Sequence, residues 1–207
     1  MPIPTLDELP PQWRIFTGVD LSGEGRMGVI ITTIAMDPFS RRRTLLENRM
    51  LKGQSPMIVK ALGQTCAKWD PDVVALESNG IQAAFLQWVE ADVDFIWSDR
   101  FIPHLTTGSN KHDVAIGLPG LEVEMSKGLW VAPAGVIATV AGQRWREEFK
   151  DYPNGETDDC VMSTWFAAHT ARKYCDAINL SQEDGRVRTP QQDGVFDVPE
   201  FGGNFLR

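Results

Sequence analysis

Cysteine, histidine and tyrosine are all scarce among the 207 residues (three, three and two), and no apolar run nears the roughly 18 residues needed to cross a bilayer. Cys66, Cys160 and Cys175 are odd in number and fit neither zinc-ligand spacing nor a disulfide framework, so they read as reduced thiols. No P-loop of the form G-x-x-x-x-G-K-[ST] occurs, which excludes an ATPase motor of that class within this sequence. The opening Met1-Pro-Ile-Pro-Thr-Leu-Asp-Glu-Leu lacks the basic flank and apolar stretch of a signal peptide, so a cytoplasmic protein without membrane contact is expected. Positive charge is also in short supply. Twenty Lys and Arg against 28 Asp and Glu leave a net charge of -8, the opposite of a DNA-coating module. Chemistry on nucleic acid stays open, because bound cations neutralise acidic clusters while local Lys/Arg patches meet phosphates.

The apolar content, 43%, is ordinary and suffices for a sizeable core in one domain. A Pro-rich arm is expected over residues 1–12, a single compact domain over 13–180, and an irregular Gly-, Pro- and Gln-rich tail over 181–207. Residues 13–20, 27–36 and 44–51 are rich in β-branched and aromatic side chains. Their connections are too short for crossover helices, which predicts an antiparallel three-strand meander. Ile58, Leu62, Cys66 and Trp69 then recur every three or four residues behind Pro56, the mark of an amphipathic helix. Residues 72–77 are an almost unbroken apolar run, the pattern of a strand covered on both faces. Further helices are expected over 81–90, 114–125, 134–149 and 157–175, with Thr157 as N-cap of the last, and short strands at 95–97 and 128–132. This order gives an α/β domain with a central mixed sheet flanked by helices.

Three acidic positions stand out. Asp20 and Glu77 each end an apolar strand, and Asp158-Asp159 opens the last apolar helix. Charged groups rarely end buried strands unless paired or bound to metal. If the first and fourth strands are neighbours, Asp20 and Glu77 converge, and the last helix can bring its aspartates alongside. Crowded carboxylates cannot all ionise by themselves, and hard cations such as Mg²⁺ or Mn²⁺ resolve that conflict. Two such ions about 4 Å apart activate water and stabilise the leaving oxygen in phosphodiester hydrolysis. Each acid also has a purely structural alternative: Asp20 as a turn former, Glu77 stabilised by a following helix dipole, Asp158 and Asp159 as first-turn acids.

The order of these acids resembles the ribonuclease H-like superfamily, and the finer resemblance is to the nuclease domains of bacteriophage large terminases. Phe16-Thr-Gly-Val-Asp20, Val74-Ala-Leu-Glu77-Ser-Asn-Gly and Tyr152-Pro-Asn-Gly-Glu-Thr-Asp158-Asp159 are similar to the three acidic motifs. Thr107-Gly-Ser-Asn-Lys111-His-Asp113, Gly117-Leu-Pro-Gly-Leu and Gly128-Leu-Trp-Val-Ala-Pro133 add specificity to the likeness, which spans about residues 13 to 170. The resemblance implies a ribonuclease H-like fold and a metal-dependent endonuclease that cuts double-stranded phage DNA during genome packaging. Asp20, Glu77 and Asp159 would hold two Mg²⁺ or Mn²⁺ ions with Asp158 as neighbour or alternate ligand. Its implied partners are a terminase ATPase domain, a portal and a small terminase subunit in the host cytoplasm. Relatives often place a further ligand three residues beyond the last aspartate, where this chain has Met162. A related nuclease such as a Holliday-junction resolvase, or a non-catalytic docking domain for a packaging motor, are the alternatives.

For DNA phosphates the candidates are Lys111 in the polar loop, the run Arg41-Arg42-Arg43 in a hairpin connection, and Arg100. Trp145 and Trp165 sit at helical spacing and read as core, and no aromatic stripe suggests stacking on single strands.

Overall fold

The computed structural model describes residues 2–21, 28–52, 55–77 and 96–183. Six strands form one mixed sheet: β1 Arg14–Leu21, β2 Val29–Met36, β3 Arg43–Leu51, β4 Val73–Glu77, β5 Phe101–His104 and β6 Trp130–Val131, in the order β5-β4-β1-β2-β3-β6. The expected meander is present, since β1 and β2, then β2 and β3, pair antiparallel. β4 joins β1 in parallel, β5 joins β4, and β6 joins β3. The β2–β3 connection is held by Asp37, whose side chain accepts from Phe39 N–H and Ser40 Oγ, with Arg41 in the left-handed region at φ 61°.

Helices cover both faces. On one lies α1 Ser55–Trp69, whose Ile58, Leu62 and Cys66 pack on Val19, Ile31 and Leu76. The other face receives α2 Gly108–Lys111, α3 Leu118–Ser126, α4 Ala134–Ile137, α5 Val140–Asp151 and α6 Asp159–Glu183. α6 is the central element. Residues 160–171 are buried without interruption, so this stretch has no solvent face and packs Trp165, Phe166 and Ala167 onto Phe16, Ile34 and Leu45. A buried polar link crosses this apolar layer. Thr32 Oγ1 donates to Asn48 Oδ1 at 2.8 Å and lies 2.7 Å from Ser163 Oγ, while Asn48 Nδ2 donates to the Ala141 carbonyl at 2.8 Å. With these partners found, interior hydroxyl and amide groups tie β2, β3, α5 and α6 together.

Several expectations are corrected. Ile96 and Trp97 lie in a turn, and the strand that follows is Phe101–His104. The helix expected over 134–149 breaks in two because Thr139 caps a new start, its Oγ1 accepting Gly142 N–H at 3.0 Å. The helix expected from 114 begins at Leu118, because Asp113 Oδ1 accepts the N–H groups of Ala115 and Ile116 and diverts the chain. Within 1–12, Leu6–Glu8 forms a short 3-10 turn, and Leu9 packs with Trp13 on Ile15, Leu46 and Trp69. The helix expected at 81–90 lies outside the described residues, as does the tail beyond Glu183. No described helix is long and apolar enough to cross a membrane.

Candidate metal centre

The parallel register pairing Val19 with Leu76 sets Asp20 next to Glu77 one step further along. Side-chain alternation then fixes which face both acids take. Phe16 of β1 and Ala75 of β4 pack in the α6 layer, whereas Val19 and Leu76 pack in the α1 layer. Asp20 and Glu77 therefore share the α6 face. Asp20 is 5% exposed, and a hydrogen bond joins its carboxyl to Glu77. Burial first, then the charges of Glu77, Asp159 and Asp158, holds the Asp20 carboxyl well above the usual carboxylate range.

α6 reaches this point because β1 has glycine at position 18. A Cβ there would lie 2.0 Å from the Ser163 carbonyl oxygen and 2.6 Å from Ala167 N, so the helix rests directly on the strand backbone. Ser163 is about one helical turn beyond Asp159, and Gly18 two residues before Asp20, so the start of α6 arrives over the strand end. Burial, together with Glu148 and Asp158 and against Arg144, pushes the Asp159 carboxyl up to about 6. Asp158 is the residue that opens the helix, its carbonyl accepting Met162 N–H at 2.8 Å. The expected N-cap, Thr157, instead donates its hydroxyl to Glu148 Oε1 at 2.8 Å.

Lys111 joins the same end of the molecule. Its Nζ donates to Asp158 Oδ2 at 3.1 Å. The short α2 that carries it is closed by a reciprocal cap: Thr107 Oγ1 accepts Asn110 N–H, and Asn110 Oδ1 accepts Thr107 N–H. The loop is then hung on α6 through one carbonyl. Ile116 O accepts from Trp165 Nε1 at 2.9 Å and Arg172 Nη1 at 2.8 Å, with His169 Nδ1 at 3.4 Å.

Two neighbours were missed from sequence. Glu148 on α5 is buried and accepts from Arg144 Nε, Thr157 Oγ1 and the Cys160 backbone N–H. Arg144 is its partner one turn earlier. Mid-helix in Arg-Trp-Arg-Glu-Glu, both look like ordinary surface charge; Tyr152-Pro-Asn-Gly155 reads as a turn, but the sequence does not show that their partners lie beyond it.

The remaining basic candidates are not brought to the acids. Arg43 begins β3, and the register Arg14↔Met36↔Arg43 places it at the opposite end of the sheet, about 20 Å away at 3.3 Å per residue. It is 1% exposed, with Nη2 donating to Glu124 Oε1 at 2.7 Å, so its charge is consumed inside the fold. Arg41 pairs with Asp176, and Arg100, just ahead of β5, pairs with Asp70; Arg42 is exposed in the same distant connection. Met162 is buried in the core layer.

Among the described residues, no three His, Cys, Asp or Glu side chains close into a group that could hold an ion as they stand. The donor chemistry nonetheless suits a hard divalent cation. Two carboxyl groups in contact cannot both ionise unaided, and two further acids whose charges reach them add to the same repulsion.

No family model and no curated protein matches the sequence. Solved structures do match. The large terminase nuclease from thermophilic phage G20c, with bound zinc, aligns at TM-score 0.55 and 16% identity over 76% of this chain and 81% of that one. The human cytomegalovirus terminase nuclease domain, Mn soaked and inhibitor bound, aligns at TM-score 0.56 and 13% identity over 87% and 92%. Thermus thermophilus RuvC with a Holliday junction substrate aligns at TM-score 0.43 and 12% identity over 77% and 93%. The fold is ribonuclease H-like, and it resembles that of the viral terminase nuclease domains.

Proposed function

We propose that this chain is a divalent-metal-dependent endonuclease that hydrolyses double-stranded DNA, acting as the nuclease domain of a phage packaging terminase. The observation that carries the proposal is the meeting of Asp20 and Glu77 on one face of adjacent strand ends, with the start of α6 brought over them by Gly18. The resemblance in fold to two viral terminase nucleases supports the same conclusion.

Asp20 and Glu77 would hold a cation between them, Asp159 would add a ligand from above, and Asp158 is the alternate ligand tethered to Lys111. One or two bound Mg²⁺ or Mn²⁺ ions would supply water activation and leaving-group stabilisation. Burial of Asp20 lowers the local dielectric and strengthens the attraction of these acids for a cation. Lys111 is placed to trade Asp158 for a DNA phosphate when Asp158 turns to a metal. The four arginines 41, 42, 43 and 100 flank the beginnings of the strands and not the ends that carry the acids, so any contact they make is with DNA away from the phosphate being cut. A net charge of -8 slows encounter with DNA, so the isolated chain should cut weakly and depend on a motor ATPase, portal and small subunit to deliver substrate.

Plasmid nicking in Mn²⁺ tests this. Activity should vanish in chelator and fall on the order of a thousand-fold or more in Asp20→Ala and Glu77→Ala. Full activity in both variants would remove the assignment. Strong preference for a four-way junction over linear and supercoiled duplex would replace the packaging role with a resolvase.

A further inference from the structure

Glu148 is an acid that stays buried, 6% exposed, one residue after exposed Glu147. Burying a carboxylate is costly unless donors meet it. Three do. Oε1 accepts from Arg144 Nε at 2.9 Å and from Thr157 Oγ1 at 2.8 Å, and Oε2 accepts from Cys160 N–H at 2.7 Å. Arg144 Nη2 also donates to the Thr157 hydroxyl. The chain is therefore gripped at Thr157 and again at Cys160, on either side of Asp158 and Asp159. Only those two acids lie between the anchors.

We propose that Glu148, braced by Arg144, is a positioning residue that fixes the Asp158–Asp159 pair over Asp20 and Glu77 and so sets metal affinity without being a ligand. This rests on the nuclease proposal above. A carboxylate already engaged by three donors is poorly disposed to turn toward an ion, whereas its grip on the backbone N–H next to Asp159 limits where that aspartate can point. Outer groups that orient ligands typically change metal affinity ten- to a hundred-fold when removed.

The test is Mn²⁺ binding to the full chain by calorimetry, alongside melting of the metal-free protein and plasmid nicking across Mn²⁺ concentrations. Glu148→Ala should weaken Mn²⁺ binding roughly ten- to a hundred-fold at temperatures where it remains folded, with nicking restored by excess Mn²⁺. Glu148→Gln keeps an acceptor for the Cys160 N–H and should recover most of the affinity. Thr157→Ala releases one anchor without unburying a charge, and should weaken binding several-fold even if Glu148→Ala does not fold. Wild-type affinity in Glu148→Ala or, where that variant does not fold, in Thr157→Ala would overturn the proposal. So would a Gln variant as impaired as Ala whose nicking excess Mn²⁺ does not restore. If Asp20→Ala abolishes binding while these variants bind normally, only this inference fails. If wild type and Asp20→Ala bind Mn²⁺ equally, the nuclease proposal itself falls.

Discussion

The two ends of the sheet treat charge in opposite ways. Where β1, β3 and β4 begin, acids meet bases: Asp72 with Arg14, Asp70 with Arg100, Asp176 with Arg41, and Glu124 with both Arg43 and Arg172. Where β1 and β4 end, Asp20, Glu77, Asp158, Asp159 and Glu148 gather around Lys111 and Arg144. At the first end, electrostatics is settled within the fold. At the second, like charges are held together by a hydrophobic framework that overrides their repulsion, the arrangement that the proposed cation site requires. A buried charge thus has opposite meaning for stability at the two ends.

The largest expected effect tests that sign at the settled end. Arg43→Met should cost about 3 kcal/mol in denaturant unfolding, because Glu124 loses one of its two guanidinium partners in a buried setting. Asp20→Asn should move the other way in chelator, gaining about 1 kcal/mol as repulsion is relieved, while its thermal stabilisation by Mn²⁺ disappears. If both variants destabilise, the contrast between the ends is broken.

Acidity sharpens it further. The folded state raises Asp159 from 3.8 to about 6, so it holds a proton that the unfolded chain releases. Metal-free stability should therefore fall as pH rises through that window. Asp20 and Asp72, also raised by burial, add to the same slope, so the diagnostic is the difference between wild type and Asp159→Asn. Melting temperatures between pH 4 and 7 should decline less in the variant, and Mn²⁺ should flatten the wild-type decline. The smallest effect concerns DNA: Lys111→Ala should reduce the slope of log affinity against log salt by about one, and an unchanged slope would deny it a phosphate contact.

Much of this was legible in sequence because it depends on local pattern. The meander, α1 and β4 follow from runs of β-branched residues and a clean three-to-four spacing. β5 was placed too early because Pro103 interrupts the short run Phe101-Ile-Pro-His104 and argues against a strand. The sheet order explains its presence: β5 is the edge, where a missing N–H costs nothing. The convergence of Asp20 and Glu77 was foreseeable from their positions at the ends of apolar strands. Burial of Arg43 was not, since nothing near it in sequence announces Glu124, and the same holds for Glu148 and the Cys160 N–H.

The Ile116 carbonyl has a mechanical consequence. Asp158 opens α6, and Lys111 is suspended from the middle of that helix by Trp165, His169 and Arg172. Both members of the lysine–aspartate pair therefore ride on one rod. Their spacing is thus a property of this helix and its attached loop, and their reach to Asp20 and Glu77 is fixed at the single place where the helix lies on Gly18.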